Sequence, residues 1–188
     1  KPAPTIETLD KKYPAYSDPM AISCISYDGK TKRIILPETL IIYTDGSCLV
    51  NPNGPGGFAA VFLTAEGSEL LTLSGGEPAS TNNRMELRAA YEALKLLDDG
   101  IHRTITFHTD SKYLQKAITN RWLYNWKRNG WLTAAKTPVS NQDLWKALDR
   151  VMTPHRLTFE WVKGHVGTKY NEMCDTLAKG EAMKFKKW

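Results

Sequence analysis

From residue 40 onward, apolar positions recur with two alternating periods, and the switches between them lay out the chain. "LIIYTDGSC" reads as a strand, with the acid Asp45 at the end of its apolar part. "GFAAVFLTAEGSELLTLSG" reads as a β-hairpin turning at Glu66-Gly67. "NNRMELRAAYEALKLLDDG" changes to helical spacing: Met85, Leu87, Ala90, Leu94 and Leu97 recur as on one amphipathic helix. Thr81 or Asn82 can cap its start, and Gly100 follows its end. "TITFHTD" is again a strand, "SKYLQKAI" a short helix beginning at Ser111, and "NQDLWKALDRVM" a further helix. "RLTFEWVK" is a strand and "NEMCDTLAKGEAMKF" a closing helix. The order is β-β-β-α-β-α-α-β-α. Helical crossovers between strands imply parallel neighbours, and the early hairpins imply an antiparallel part. The expected fold class is therefore α/β: a five-stranded mixed sheet, three antiparallel strands and then parallel ones, with helices on both faces.

Ahead of this lies a different texture. Residues 1–19 hold Pro2, Pro4, Pro14 and Pro19 with little periodicity, and read as an extended arm. "AISCISYDGKTKRIIL" has two β-prone runs around Asp28-Gly29, a dipeptide suited to a tight hairpin turn, and Pro37 punctuates its end. The expected division is a 1–38 extension of arm and hairpin, and a 39–188 α/β domain.

Composition narrows the class. At 188 residues, with 41% hydrophobic and 24% charged positions, the chain is long enough for a globular domain with a real core. No apolar run approaches the roughly 18 residues of a membrane span, and no secretory signal opens the chain. Cys24, Cys48 and Cys174 are odd in number and form no CxxC pair, so neither a zinc site nor a disulfide framework is indicated. A reducing, cytoplasmic setting is the simplest expectation. The net charge of +5 suits a nucleic-acid partner without demanding one.

Four acids carry the candidate chemistry. In sheets with parallel strands, sites form beyond the carboxyl ends of those strands. Asp45 ends "IIYTD" and Asp110 ends "TITFHTD", so parallel pairing would bring both carboxylates out side by side. Glu86 lies near the start of one helix and Asp175 in the early part of the last. Each alone has a plain reading: Asp45 as a turn former, Asp110 as a helix-start acid, Glu86 as a solvated helix face, Asp175 as a helix charge. Together they would repel strongly unless protonated or bridged by divalent cations. Oxygen ligands favour Mg²⁺ or Mn²⁺, and two such ions about 4 Å apart can drive phosphodiester cleavage.

The stretches "YTDGSCLVNPNGPGG", "TNNRMELRAAYEAL", "HTDSKYL", "NWKRNGWLTAAKTPVSNQDLW" and "WVKGHVGTKYNEMCDTLA" occur in this order. Together they closely resemble type 1 ribonuclease H, over roughly residues 40–183. The resemblance implies an RNase H-like fold and two-metal-ion cleavage of the RNA strand of RNA–DNA hybrids, leaving 3′-hydroxyl and 5′-phosphate ends. It implies a monomer that uses Mg²⁺, two ions with substrate bound, with Mn²⁺ as the substitute. It places the metal ligands on Asp45, Glu86, Asp110 and Asp175, and a mobile-loop histidine on His165. Contacts to the hybrid's minor groove fall on Asn51, Asn82 and Asn83, and a DNA-phosphate pocket on Thr81 and Asn141. For Thr81 and Asn82, helix capping is an equally good reading, and the roles can coexist.

The segment "RWLYNWKRNGWLTAAK" interleaves Trp122, Trp126 and Trp131 with Arg121, Lys127, Arg128 and Lys136. By resemblance it is a basic protrusion gripping the DNA strand, with Trp122, Lys127, Arg128 and Lys136 in contact; Trp126 and Trp131 read better as core. Val50 replaces the family's usual Gly, "NPNGPGG" is one residue longer than the usual loop, and one more residue precedes Trp122. These departures bear on the position of Asn51, not on the acids. Two alternatives stand beside the enzyme: an RNase H domain of a larger reverse transcriptase or polymerase, and a silent hybrid-binding module. The latter predicts a missing acid. Residues 1–38 lack the aromatic, Gly- and Lys-rich pattern of a hybrid-binding module. They are loosely similar to the opening of family B polymerase exonuclease domains, but Thr5 beside Glu7 stands where that family has Asp, so a sheet-flanking hairpin is the preferred reading.

Overall fold

The computed structural model describes residues 24–27, 36–162 and 169–186. Six strands form one sheet in the order β1-β4-β3-β2-β5-β6: β1 is Cys24–Tyr27, β2 Thr39–Cys48, β3 Gly56–Thr64, β4 Glu69–Glu77, β5 Thr104–Thr109 and β6 Arg156–Trp161. Strands β2, β3 and β4 pair antiparallel, while β5 lies parallel to both β2 and β6. This is the five-stranded mixed sheet read from the sequence. The extension adds a sixth strand, because β1 pairs antiparallel along the outer edge of β4 with Cys24 opposite Ser74. The arm over residues 1–19, the Asp28-Gly29 turn and the second run of the expected hairpin lie outside the described residues, as does His165.

Among the described residues the helices are α1 (Asn82–Lys95), α2 (Lys112–Thr119), α3 (Trp122–Arg128), α4 (Gln142–Met152) and α5 (Lys169–Met183). Periodicity predicted two helices between β5 and β6, and there are three. The extra one, α3, spans seven residues and has no fully buried position; only Leu123 and Trp126 pack against the core, too short an apolar stripe for periodicity to register. Ser111 caps α2 and Thr81 caps α1, each accepting a backbone N–H at 3.1 Å from Leu114 and Arg84 respectively.

The two sheet faces are filled differently. Leu40 and Ile42 of β2, with Phe58, Ala60 and Phe62 of β3, pack beneath α1, α2 and α4 around the fully buried Trp145. On the other face, Ala59, Val61 and Leu63 meet Cys174 and Ala178 of α5, with Ile41 and Tyr43 at the margin. Side-chain alternation along β2 and β3 thus sends one set of residues to each layer. Buried Arg103 fixes where the chain enters β2: its guanidinium donates to the Leu36, Pro37 and Leu97 carbonyls and pairs with Asp99 at 2.8 Å.

Candidate metal centre and nucleic-acid surface

Parallel pairing of β2 with β5 ends at Tyr43 and His108; two residues further along come Asp45 and Asp110. The sequence placed Asp45 at a strand end. In fact β2 continues to Cys48, held by β3 alone, with Asp45 opposite Ala59 and Gly46 opposite Phe58. Asp45 therefore sits where β5 parts from β2, on a backbone still braced from the other side. That geometry rejects the turn-former reading and gives the carboxylate a rigid base.

Glu86 reaches the same point because Gly46 has no side chain. A Cβ on Gly46 would overlap the backbone of Met85 and Glu86, so the absence of one lets the start of α1 settle against β2. On the opposite face Gly57 plays the same part for α5, where a Cβ would overlap the Ala178 carbonyl. That close approach carries Asp175, about one turn earlier on α5, to the rim of the site. Gly46 and Gly57 are functional positions that the sequence pattern did not single out. The signal for the first was present in "TDG", but its partner backbone lies 39 residues away and only the fold brings it there.

Carboxylate oxygens of Asp45, Glu86 and Asp110 lie within 4.8 Å of one another. Asp175 and Lys179 complete the walls of the pocket with Gly46, Ser47 and Asn82. Asp45 is buried, at 3% exposure. Burial, and then the charges of Asp110 and Asp175, push its carboxyl up to about 7, against smaller opposing hydrogen bonds from Glu86 and the Gly46 backbone. The Glu86 carboxyl is also raised well above its ordinary range, first by burial and then by Asp45 and Asp110. Glu86 as a residue keeps some exposure, yet its Oε2 is sealed from solvent and has no hydrogen-bond partner among the described residues. A sealed, unpartnered carboxylate oxygen facing two more carboxylates fits a divalent cation with oxygen ligands.

Beside the acids runs a polar rim. The longer loop 49–55 is tied to the start of α1: Asn53 N–H donates to the Ser80 carbonyl at 2.7 Å, and Ser80 N–H donates to the Gly54 carbonyl at 2.9 Å. Asn82 Oδ1 accepts the Cys48 N–H at 2.7 Å, and Asn51 Oδ1 accepts the Asn82 N–H at 3.1 Å. The extra residue does not detach Asn51. Asn53 absorbs it in a left-handed conformation, φ 76°, which Asn tolerates better than most side chains. Val50 points outward at 65% exposure. Asn51, Asn82 and Asn83 thus form one exposed patch next to the acids.

Thr81 and Asn141 are the N-cap residues of α1 and α4, two helix starts bridged by Arg84 and Asp143 at 2.9 Å. Further out, α3 and the turns after it form a projection. Trp126 and Trp131 are half-buried against the main core, Trp126 edge-on to Trp145, as read from the sequence. Trp122 is 37% exposed, and Arg121 and Arg128 lie over the Tyr124 ring at 4.4 and 5.6 Å. Lys136 is exposed, while Lys127 is tethered to Asp149 at 3.1 Å.

A twisted mixed sheet between helical layers, with acids gathered where two parallel strands part, defines an RNase H-like α/β protein with a candidate metal site. The family profile described as RNase H matches residues 37–183, and the chain belongs to the RNase H family. It is 52% identical over 142 residues to a Ribonuclease H of Citrobacter koseri, covering 76% of this chain and 88% of that protein. To a Ribonuclease H of Phenylobacterium zucineum it is 50% identical over 143 residues, covering 76% and 89%. Among solved structures it resembles LC9-RNase H1, described as a type 1 RNase H with the type 2 active-site motif. That likeness has TM-score 0.69 and 31% identity, over 81% of this chain and 75% of that one. The foamy viral protease-reverse transcriptase in complex with RNA/DNA hybrid shares the fold, with TM-score 0.66 and 23% identity over 82% of this chain and 22% of that one.

Replacing Gly46 with Ala tests the seating of α1. Gly46→Ala is expected to cost about 1–3 kcal/mol of stability, because backbone rather than a movable side chain must give way. Cleavage should fall further than stability explains, since Glu86 moves away from Asp45. Thermal melting together with turnover at saturating substrate checks both.

Proposed function

We propose that this protein is an endoribonuclease that hydrolyses the RNA strand of RNA–DNA hybrids, leaving 3′-hydroxyl and 5′-phosphate ends. The observation that carries the reading is the convergence of Asp45, Glu86 and Asp110 around a sealed, unpartnered Glu86 oxygen. Asp45, Glu86, Asp110 and Asp175 would hold divalent cations, Mg²⁺ by the resemblance, with Mn²⁺ as the natural substitute. Bound divalent cations supply an activated water and neutralise charge on the leaving oxygen. The protein's own part is to hold four acids on a braced strand, just past the end of its parallel neighbour, and on two closely seated helices.

Asn51, Asn82 and Asn83 read the minor groove, where the 2′-hydroxyls mark the RNA strand. Thr81 and Asn141 take a DNA phosphate between two helix starts, where backbone N–H groups favour an anion. Trp122, Lys127, Arg128 and Lys136 grip the DNA strand beyond it. His165, by the resemblance, serves near the leaving group or in product release. The family's four acids are all present, so the silent binding module has nothing in its favour. Likeness to the viral polymerase is one of fold.

A labelled hybrid incubated with Mg²⁺ is expected to be cut in its RNA strand, with duplex DNA, duplex RNA and single strands left whole. An intact hybrid in the presence of folded protein overturns the proposal. Hybrid binding should weaken as salt rises. Neutralising Arg128 and Lys136 with Gln should reduce the slope of log K against log salt by about one for each phosphate that no longer meets a cation. An unchanged slope removes those two from the DNA-gripping surface.

A further inference from the structure

Lys179 is a cation in the wall of an acidic pocket, and no part of the function described above uses it. Its Nζ lies 2.9 Å from Asp175 Oδ2, one helical turn along α5. An acid placed four residues before a lysine is the favourable orientation for such a pair on a helix. The side chain is 58% exposed against 19% for Asp175, so the amine is solvated and can swing away while the carboxylate stays at the rim. Both residues line the same pocket as Asp45, Glu86 and Asp110. Among the described residues, only those three carboxylates stand close enough to form a tight ligand set; Asp175 faces them as a charge, raising Asp45, with Lys179 on its oxygen.

We propose that Lys179 is a built-in competitor for the metal centre: it occupies Asp175 and must be displaced before that carboxylate can join a divalent cation. Lys179 is thus a positioning residue that sets how much metal is needed to complete the Asp175 side of the site. The physical reason is charge. An ammonium on Asp175 offsets part of the repulsion among the four acids, and a doubly charged ion arriving there both competes for the oxygen and is repelled by the amine. The pair is solvated, so the barrier it sets is modest and reversible. The inference rests on the metal-site reading above.

The test is a Mn²⁺ titration of the intact chain, with free Mn²⁺ read by electron paramagnetic resonance and no substrate present. Lys179→Met is expected to bind Mn²⁺ about twofold to fivefold more tightly than the parent, the range of exposed ion pairs. Lys179→Arg, which keeps the charge, should stay at the parent affinity. In an Asp175→Asn background the gain from Lys179→Met should be lost, because the carboxylate under competition is gone. Melting curves establish that each variant is folded. Unchanged or weaker Mn²⁺ binding by Lys179→Met overturns the proposal, and a rise in KM for the hybrid with unchanged Mn²⁺ binding makes Lys179 a substrate contact instead. A gain that survives in the Asp175→Asn background also overturns it. Absence of Mn²⁺ binding by the parent protein itself would instead overturn the metal-site reading, and this inference with it.

Discussion

Asp110→Asn is expected to abolish cleavage while leaving the hybrid bound. Asp110 follows the last residue of β5, beside Asp45 across the point where β5 parts from β2. Asn keeps the shape and one carbonyl oxygen but not the charge that a divalent ion needs. Losing a shared ligand should remove several kcal/mol of transition-state stabilisation, a fall of about 10³-fold or more in turnover. Binding is a different matter. The rim of Asn51, Asn82 and Asn83 and the basic projection around α3 are untouched, and the change removes a negative charge from a surface that meets phosphates. The dissociation constant for the hybrid should therefore move by less than about threefold. Single-turnover cleavage and a binding titration in the same buffer separate the two. Near-normal turnover would mean that Asp110 does not hold the metal.

Asp45→Asn is expected to do the opposite to stability: it should make the metal-free protein more stable. The Asp45 carboxyl ionises at about 7 in the folded chain, against about 3.9 when unfolded. Between those values the folded state holds a proton that the unfolded state has released, so stability falls as pH rises from about 4 to about 7. Below the unfolded value both states are protonated and nothing is lost; above about 7 the whole penalty is present. A rise from about 3.9 to about 7 corresponds to at most about 4 kcal/mol, and Glu86, raised in the same direction, adds to the trend. In chelator at pH 8, Asp45→Asn should melt above the parent by the equivalent of about 2 kcal/mol or more, with the gap closing toward pH 4. Added Mg²⁺ should narrow the gap from the other side, because it stabilises only the protein that still has its ligand. A parent protein equally stable at pH 4 and pH 8 in chelator would show that the acids do not crowd one another.

The two predictions describe one design. The acids are held together at a cost in folding free energy, which a divalent cation bound among them would offset. Rigid backing makes this possible: β3 braces β2 beyond Asp45, and the close approaches at Gly46 and Gly57 fix α1 and α5. The pocket sits against the better-packed half of the sheet, where both faces of β3 are buried.

Much of this was legible in the sequence. Local alternation and helical spacing are written residue by residue, so β2 to β6, α1, α2, α4 and α5 could be read directly. The strand-and-crossover order brings Asp45 and Asp110 to the same edge, while the resemblance of the motifs to a family joined Glu86 and Asp175 to them. Caps at Thr81 and Ser111 were legible for the same reason, since a cap is satisfied by a neighbour three residues away. The helix α3 escaped because it is one short stretch that packs only Leu123 and Trp126, half-buried, on the core, and the strand β1 found its partner 50 residues further on, across the edge of β4.

What the chain alone determined is thus the order of elements and the mixed sheet, because each depends on short-range periodicity or on a connection rule; the four acids were marked out together by the resemblance of their motifs to a family. The tertiary structure alone decided that β3 by itself braces β2 beyond Tyr43, that Gly46 and Gly57 seat the helices bearing Glu86 and Asp175, and that Lys179 stands among the acids. It also decided that the longer loop stays tied to α1, with Asn51 bonded to the Asn82 N–H. All of these are contacts between residues far apart in the chain, set by how closely two backbones approach, and no local pattern records that distance.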